Sequence, residues 1–205
     1  MGWAGSPAAI RDTIGKRDPD IGIFTEYQPH GNGQLLTDLQ TDGWIYHLVT
    51  EPPEKRDGIA TLSKYPLAPR PLPSGLEPLR YSYLPVGIPD LDLEVRAMYE
   101  PLHREPYPEY WTAVLDALAL DVAEPVLVVG GFNAGESLIV STPPDGMASE
   151  FFCQIPSRGY TDPWRRGRVR SYNEPGGRGS VNGFRLDHAF GTAPVPGKAS
   201  PAFVA

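Results

Sequence analysis

Short apolar runs that carry no polar face are the feature of this sequence that most constrains its fold. Three of them, at residues 20–25, 58–63 and 125–129, have the length and composition of strands. A strand without a polar face has to be covered on both sides, which indicates sheets buried between helices. The strongest helical pattern lies at residues 107–120, where apolar side chains recur on one face. The sequence therefore predicts a mixed α/β domain.

Weaker patterns complete the predicted order of elements. Helices are expected at residues 6–16 and 35–39. The remaining predicted strands are residues 44–49, 91–98 and 184–190. Residues 66–90 and 134–150 have the composition of irregular segments, and long irregular segments are often functional.

The overall composition suits one domain over residues 1–205. Cys153 is the only cysteine, so no internal disulfide can form and nothing indicates an oxidising compartment. No apolar run approaches the ~20 residues that a membrane span needs, and we expect a cytoplasmic protein with no membrane association. The net charge of −7 argues against coating nucleic acid through overall charge, although a local basic groove or a bound cation is compatible with it.

Three predicted strands end in polar residues that could carry chemistry. Glu26 follows the first strand, Asn133 follows a Gly-Gly pair, and Asp187 and His188 lie near the end of the last strand. A rigid strand end can hold such groups in place, and a carboxylate there suits Mg²⁺. Because strand side chains alternate, only one of Asp187 and His188 can face a given site. The alternative for each strand end is an ordinary solvated exit or turn.

Six motifs in chain order resemble the endonuclease/exonuclease/phosphatase superfamily, in its exonuclease III and apurinic/apyrimidinic endonuclease-like branch. The first is a Pro-Asp pair at residues 19–20 that leads to a glutamate at the strand end, here Glu26. The second is Gly-Ile-Ala-Thr-Leu-Ser-Lys-Tyr-Pro-Leu at residues 58–67. The others are Met-Tyr-Glu-Pro at 98–101, Gly-Gly-Phe-Asn at 130–133, Gly-Tyr-Thr-Asp-Pro-Trp-Arg at 159–165 and Gly-Phe-Arg-Leu-Asp-His at 183–188.

The resemblance implies a two-sheet α/β sandwich with helices outside both sheets. It also implies cleavage of phosphodiesters, in DNA, with Mg²⁺ or Mn²⁺ as the cofactor. Carried over to matching positions, Glu26 would bind the metal and Tyr99 would touch the scissile phosphate. Asn133 would contact the phosphate or the attacking water, and Asp187 would orient a catalytic histidine from a later strand.

Two departures from the family pattern bear on activity. Gly131 stands where the family's Gly-Asp-Phe-Asn motif has the aspartate that positions or deprotonates the attacking water. The family's first strand and its closing Ser-Asp-His motif have no counterpart, so we expect the terminal strands to be missing or degenerate. Phosphodiester hydrolysis needs an activated water and a proton donor, so these losses would slow it by orders of magnitude. His188 is not expected to replace the missing histidine, because it adjoins Asp187.

Hypotheses from different classes therefore stay open. The chain is a nuclease, working or inactivated at Gly131, or it is a non-catalytic module that keeps the fold in order to bind nucleic acid or a protein. A phosphatase-like relative acting on a small phosphoester or lipid head group is a third reading. Loss of the aspartate at position 131 favours the binding module, whereas retention of Glu26, Asn133 and Asp187 favours the enzyme.

An arginine-rich segment is the candidate DNA-binding surface. Arg165, Arg168 and Arg170 could follow a phosphate backbone, and Tyr172 could stack on a base. Arg185 is predicted to be a structural or phosphate-side residue. The alternative is a solvated basic loop that balances an acidic protein. Open sheet edges invite pairing, so a second copy of the chain or another partner is expected to cover them.

Overall fold

The structure is a computed structural model, and it describes residues 7–100, 108–119, 125–132, 149–162 and 187–192. The helices in these ranges are α1 (Pro7–Arg17), α2 (Pro29–Thr41), α3 (Pro108–Leu118) and α4 (Ser149–Phe152). Short 3-10 helices span Glu77–Ser82, Pro89–Leu91 and Pro156–Arg158. The strands are β1 (Ile21–Tyr27), β2 (Tyr46–Val49), β3 (Gly58–Ser63), β4 (Ala68–Pro69), β5 (Tyr83–Ile88), β6 (Leu93–Tyr99), β7 (Val126–Gly131) and β8 (Asp187–Gly191).

The strands form two sheets. The smaller sheet has the order β1-β3-β2, and both of its pairs are antiparallel. The larger sheet has the order β4-β5-β6-β7-β8. In the larger sheet β6 and β7 run parallel, while the other pairs are antiparallel. Because α3 lies between β6 and β7 in the chain, it can cross over one face of the larger sheet.

The two sheets pack face to face. Val86 and Val95 of the larger sheet are fully buried in an apolar cluster that also contains Ile23 and Leu48 of the smaller sheet. Every residue of β3 is buried, as expected for the central strand of a sheet that is covered on both faces.

Helices α1 and α2 cover the outer face of the smaller sheet. Ile14 of α1 and Leu35 and Leu39 of α2 pack with Trp44 and Leu62 in one buried cluster. Burying each such side chain stabilises the fold by ~1.5–3 kcal/mol.

Helix α3 covers the outer face of the larger sheet. Trp111 and Val114 of α3 are fully buried with Met98 of β6 and Val128 of β7. The Trp111 indole Nε1 donates a hydrogen bond to the Glu100 carboxylate over 2.7 Å, which ties α3 to the end of β6. The fold is therefore a two-sheet α/β sandwich with outer helices, as the sequence predicted.

The structure corrects two of the predicted elements. Residues 66–90 are not irregular throughout, because they contain β4, a 3-10 helix and the six-residue strand β5. Helix α2 begins at Pro29, well before the helix predicted at residues 35–39. In contrast, the strand predicted at residues 58–63 coincides with β3.

Some predictions fall outside the described residues. The expectation of missing or degenerate terminal strands concerns residues 1–6 and 193–205. The irregular segment predicted at 134–150 is outside as far as residue 148, after which α4 begins. No helix within the described ranges has the length and apolar character that crossing a membrane requires.

Candidate active site

Strand ends from both sheets meet at one end of the sandwich. Tyr99 at the end of β6 lies opposite Gly131 at the end of β7, and Gly131 lies opposite Asp187 at the start of β8. The smaller sheet reaches the same place, because a methyl group added at Gly131 would lie 3.6 Å from Thr25 Oγ1 of β1. Glu26 is the next residue of β1. The register thus brings Glu26, Tyr99 and Asp187 into one region.

Gly131 lies at the centre of this region. A Cβ atom added there would lie 3.5 Å from Asp187 Oδ1 and 3.5 Å from Tyr99 Cδ2, which are ordinary contact distances. Gly130 differs, because its φ is +149° and an added Cβ would lie 1.8 Å from the Met98 carbonyl oxygen. Only glycine fits at residue 130. The backbone therefore requires the first glycine of the pair, whereas the second can accommodate a Cβ atom.

Glu26 adopts an unusual backbone conformation. Its φ of +57° lies in the left-handed region, which is uncommon for a residue with a side chain. It is half-buried, and burial raises the pKa of its carboxyl group, as do the negative charges of Asp57 and Asp187. Asp57 and Asp187 are therefore close enough for their charges to act on Glu26.

Asp187 and Tyr99 are also removed from water. Burial raises the pKa of the Asp187 carboxyl to about 6. Burial likewise raises the pKa of the Tyr99 hydroxyl, and the charges of Glu26 and Asp57 raise it further, while Arg56 lowers it. Tyr99 therefore keeps its proton at neutral pH and can act as a hydrogen-bond donor.

His188 faces away from this region. Its ring is buried on the α3 side of the larger sheet, with ring centroids 4.4 Å from Phe152 and 5.5 Å from Phe132. Asp187 and His188 thus point to opposite faces, as the alternation of strand side chains requires. His188 contributes to the core rather than to the acidic region.

The acidic residues suit a divalent cation of the Mg²⁺ type. Burial and the neighbouring negative charges disfavour ionisation of Glu26, burial disfavours ionisation of Asp187, and a cation beside these carboxylates would offset both costs. Mg²⁺ is commonly held by one or two carboxylates together with water, a set that Glu26 and Asp187 could provide. Among the residues that the structure describes, no three His, Cys, Asp or Glu side chains form a complete metal-binding group. Water and substrate would have to supply the other ligands.

The remaining predicted site residues lie outside the described residues, and their roles stay predictions. They are Asn133, Arg165, Arg168, Arg170, Tyr172 and Arg185.

Two charged residues of this region were not predicted from the sequence. Arg56 and Asp57 precede β3, and the pairing of Tyr27 with Gly58 brings their loop next to Glu26. Gln28 Nε2 donates a hydrogen bond to Asp57 Oδ1 over 2.6 Å. The sequence offers one signal for them, which is their position directly before the glycine that begins the second motif.

A model of the Endonuclease/Exonuclease/phosphatase family matches residues 1–203. The chain belongs to this family. The match includes every strand of both sheets, so the acidic region lies within the family domain. No match was found among curated protein sequences.

Solved nuclease and phosphatase structures share the fold of this family member. A 3′ phosphatase from Neisseria bound to product DNA hairpin superimposes with a TM-score of 0.69 at 15% identity, over 91% of this chain and 81% of that one. An AP endonuclease from Archaeoglobus fulgidus gives 0.71 at 16% identity, over 91% and 81%. A 3′-5′ exonuclease from Neisseria meningitidis gives 0.67 at 14% identity, over 90% and 81%. At these identities the likeness establishes the fold alone.

Proposed function

We propose that the chain is a Mg²⁺- or Mn²⁺-dependent phosphodiesterase that acts on DNA, at the site formed by Glu26, Tyr99 and Asp187. The observation that carries this proposal is the closeness of these three side chains, because Tyr99 and Asp187 border Gly131 and Glu26 lies within electrostatic reach of both. They come from three strands and two sheets, and all three are at least half-buried at one end of the sandwich.

Each of the three residues has a role that its environment supports. The Glu26 carboxylate would hold the cation, which supplies positive charge to a phosphate and lowers the pKa of a bound water. Tyr99 would donate a hydrogen bond to a phosphate oxygen. Asp187 would accept a hydrogen bond from a catalytic histidine, or join Glu26 in holding the cation. Asn133 would contact the phosphate or the attacking water.

DNA is the proposed substrate class. The similar structures include a phosphatase bound to a DNA hairpin and an AP endonuclease. Because the protein has a net charge of −7, it needs a local positive surface for a polyanion. Arg165, Arg168, Arg170 and Arg185 would contact the DNA backbone, and Tyr172 would stack on a base.

A second candidate function rests on Gly131. The residue pattern of the family places an aspartate there, and this chain has a glycine at which an added Cβ would make ordinary contacts. If that aspartate activates the water, the chain hydrolyses DNA slowly, or it has become a module that binds DNA without cutting it.

Nicking of supercoiled DNA and of duplexes with one abasic site distinguishes these functions. The chain and its Gly131→Asp variant are compared in Mg²⁺ and in EDTA, and DNA binding is measured in parallel. The enzyme proposal predicts Mg²⁺-dependent cleavage that Gly131→Asp accelerates. If neither protein cuts while both bind DNA, the binding module is the better account.

We propose that residues 1–205 form one domain. We also propose that this domain works in a reducing compartment such as the cytoplasm. Cys153 is exposed and carries a free thiol, which an oxidising compartment would expose to modification. Retention of that thiol in protein purified from its natural source, measured by mass spectrometry, is the expected result.

We also propose that another chain, a second copy or a different partner, covers a sheet edge. In the described part of the chain the smaller sheet ends at β2, where Ile45, Tyr46 and Val49 are exposed. An unpaired edge with apolar side chains favours association. A mass measurement during size exclusion should find more than a monomer, and a monomer at all concentrations would contradict this proposal.

A further inference from the structure

The bulge that contains Glu26 is the starting point. The β1–β3 ladder pairs Phe24 with Ala60 and then Tyr27 with Gly58. Two residues of β1, Thr25 and Glu26, therefore lie opposite the single residue of β3 between those two pairs. Such a bulge re-aims the side chains that it contains.

The conformation of Glu26 at this bulge has an energetic cost. A left-handed backbone is unfavourable for a residue with a side chain, because its Cβ atom approaches the following carbonyl oxygen. Conformations of this kind persist only where neighbouring interactions fix them. On the side toward the start of β1, the fixing interactions are the regular ladder pairs from Ile21 to Phe24.

On the other side of the bulge the fixing interactions are the single ladder pair of Tyr27 with Gly58 and, beyond it, a side-chain hydrogen bond. Gln28 lies beyond the last ladder pair, and its Nε2 donates to Asp57 Oδ1 over 2.6 Å. The Gln28 carbonyl oxygen also accepts a hydrogen bond from Gly31 N over 3.0 Å, at the start of α2. The contact with Asp57 therefore joins the end of β1 to β3 at the point where the chain turns into α2.

The negative charge of Asp57 is unfavourable for an ionised Glu26. This charge is close enough to raise the pKa of the Glu26 carboxyl. A role in holding the backbone would offset that cost.

We propose that Asp57 is a positioning residue, which accepts the hydrogen bond of Gln28 and so holds the bulge in the conformation that turns the Glu26 carboxylate toward Tyr99 and Asp187. This inference rests on the proposed function of Glu26 as a metal ligand. It adds a residue pair that touches neither metal nor substrate.

The test is a titration of the full chain with Mn²⁺, in which the electron paramagnetic resonance signal of unbound Mn²⁺ measures binding. Asp57→Ala and Gln28→Ala should each weaken Mn²⁺ binding roughly tenfold, which is typical for the loss of a residue that orients a metal ligand. The double variant Gln28→Ala/Asp57→Ala should bind Mn²⁺ no more weakly than either single variant, because both changes remove the same hydrogen bond. Asp57→Asn keeps an acceptor oxygen for Gln28, and it should restore most of the affinity that Asp57→Ala loses.

A matched control is available on α2. Gln34 Nε2 donates to Asp38 Oδ1 over 2.8 Å, so Gln34→Ala removes the same kind of exposed hydrogen bond away from the bulge. It should leave Mn²⁺ affinity unchanged. Thermal unfolding of every variant in EDTA shows that each one folds.

The outcomes separate the two proposals. Wild-type affinity in Asp57→Ala overturns the positioning role. Asp57→Asn binding as weakly as Asp57→Ala also overturns it, because the charge and not the hydrogen bond would then matter. If Glu26→Gln binds Mn²⁺ with wild-type affinity, both the proposed function of Glu26 and this inference are wrong. If Glu26→Gln loses binding while Asp57→Ala and Gln28→Ala keep it, only this inference is wrong.

Discussion

At the scale of single residues, the two glycines at the end of β7 have opposite tolerance to substitution. Gly131→Asp should fold, because the added Cβ meets its neighbours at 3.5 Å or more. In EDTA this variant should be less stable than the wild type, since it adds a fourth carboxylate to the region of Glu26, Asp57 and Asp187. Mg²⁺ should remove this difference in stability between the variant and the wild type.

Gly130→Ala should fail to give folded protein, because its Cβ would overlap the Met98 carbonyl. Thermal unfolding with and without Mg²⁺ measures both effects.

The raised pKa of Asp187 gives the fold a predictable pH dependence. A carboxyl group whose pKa is raised on folding stabilises the fold at low pH, and that contribution is lost as the pH rises from about 4 through about 6. Asp187→Asn does not ionise, so above that range it should be more stable than the wild type by up to ~3 kcal/mol. Urea unfolding in EDTA at pH 4 and pH 8 measures the difference. Equal changes in the two proteins would contradict the assignment of this titration to Asp187.

Site residues could be predicted where a sequence motif marks their position. They could not be predicted where only the pairing of distant strands brings them close. Glu26 stands out in the sequence because it ends a predicted strand, and Asp187 stands out because it lies in the last of the six motifs. Arg56 and Asp57 could not be predicted in this way. Their closeness to Glu26 follows from the β1–β3 register and from the bulge, which no single segment encodes.

At the scale of elements, α3 is tied to β6 through a buried carboxylate. Burial raises the pKa of Glu100 to about 7, while the hydrogen bond from Trp111 lowers it. The raised pKa means that the fold loses stability as the pH rises through about 7. Trp111→Phe removes the donor, so that loss should grow, with an added cost of ~1.5–3 kcal/mol above pH 8 that shrinks below pH 6.

Urea unfolding of Trp111→Phe across this pH range measures the effect. The Glu100→Gln/Trp111→Phe double variant is the control, because it has no carboxylate at this position and its stability should vary less with pH. A pH-independent cost in Trp111→Phe would show that only the lost aromatic volume matters.

The predicted elements differ in accuracy for physical reasons. Strand β3 was predicted with its observed bounds, because residues 58–63 are small or apolar without a charge and the Tyr65-Pro66 pair soon follows. Strand β5 was missed because Pro85 and Gly87 disfavour strands. Pro85 is tolerated there because its carbonyl accepts from Arg70 N, so its nitrogen, which has no hydrogen, faces the short strand β4 rather than β6. In α2, packing of Leu35 and Leu39 overrides the weak helix propensity of Gly31 and Gly33.

At the scale of the whole molecule, the two sheets share a core, and they should unfold together. Urea unfolding followed by far-ultraviolet circular dichroism and by tryptophan fluorescence should give one coincident transition. Trp44 lies in the cluster of the smaller sheet and Trp111 in that of the larger sheet, so fluorescence monitors both. Separate transitions would show that the chain is not a single domain.

The claim that Glu26 and Gly131 belong to one catalytic site is tested most directly by a double-mutant cycle in cleavage of an abasic-site duplex in Mg²⁺. The four proteins are the wild type, Gly131→Asp, Glu26→Gln and the double variant. Gly131→Asp is predicted to raise the cleavage rate by about 100-fold or more, as expected for a restored general base. Glu26→Gln should abolish that gain, because the new carboxylate acts only beside a bound cation. Equal rates for Gly131→Asp with and without Glu26, or no cleavage by any of the four, would contradict the account.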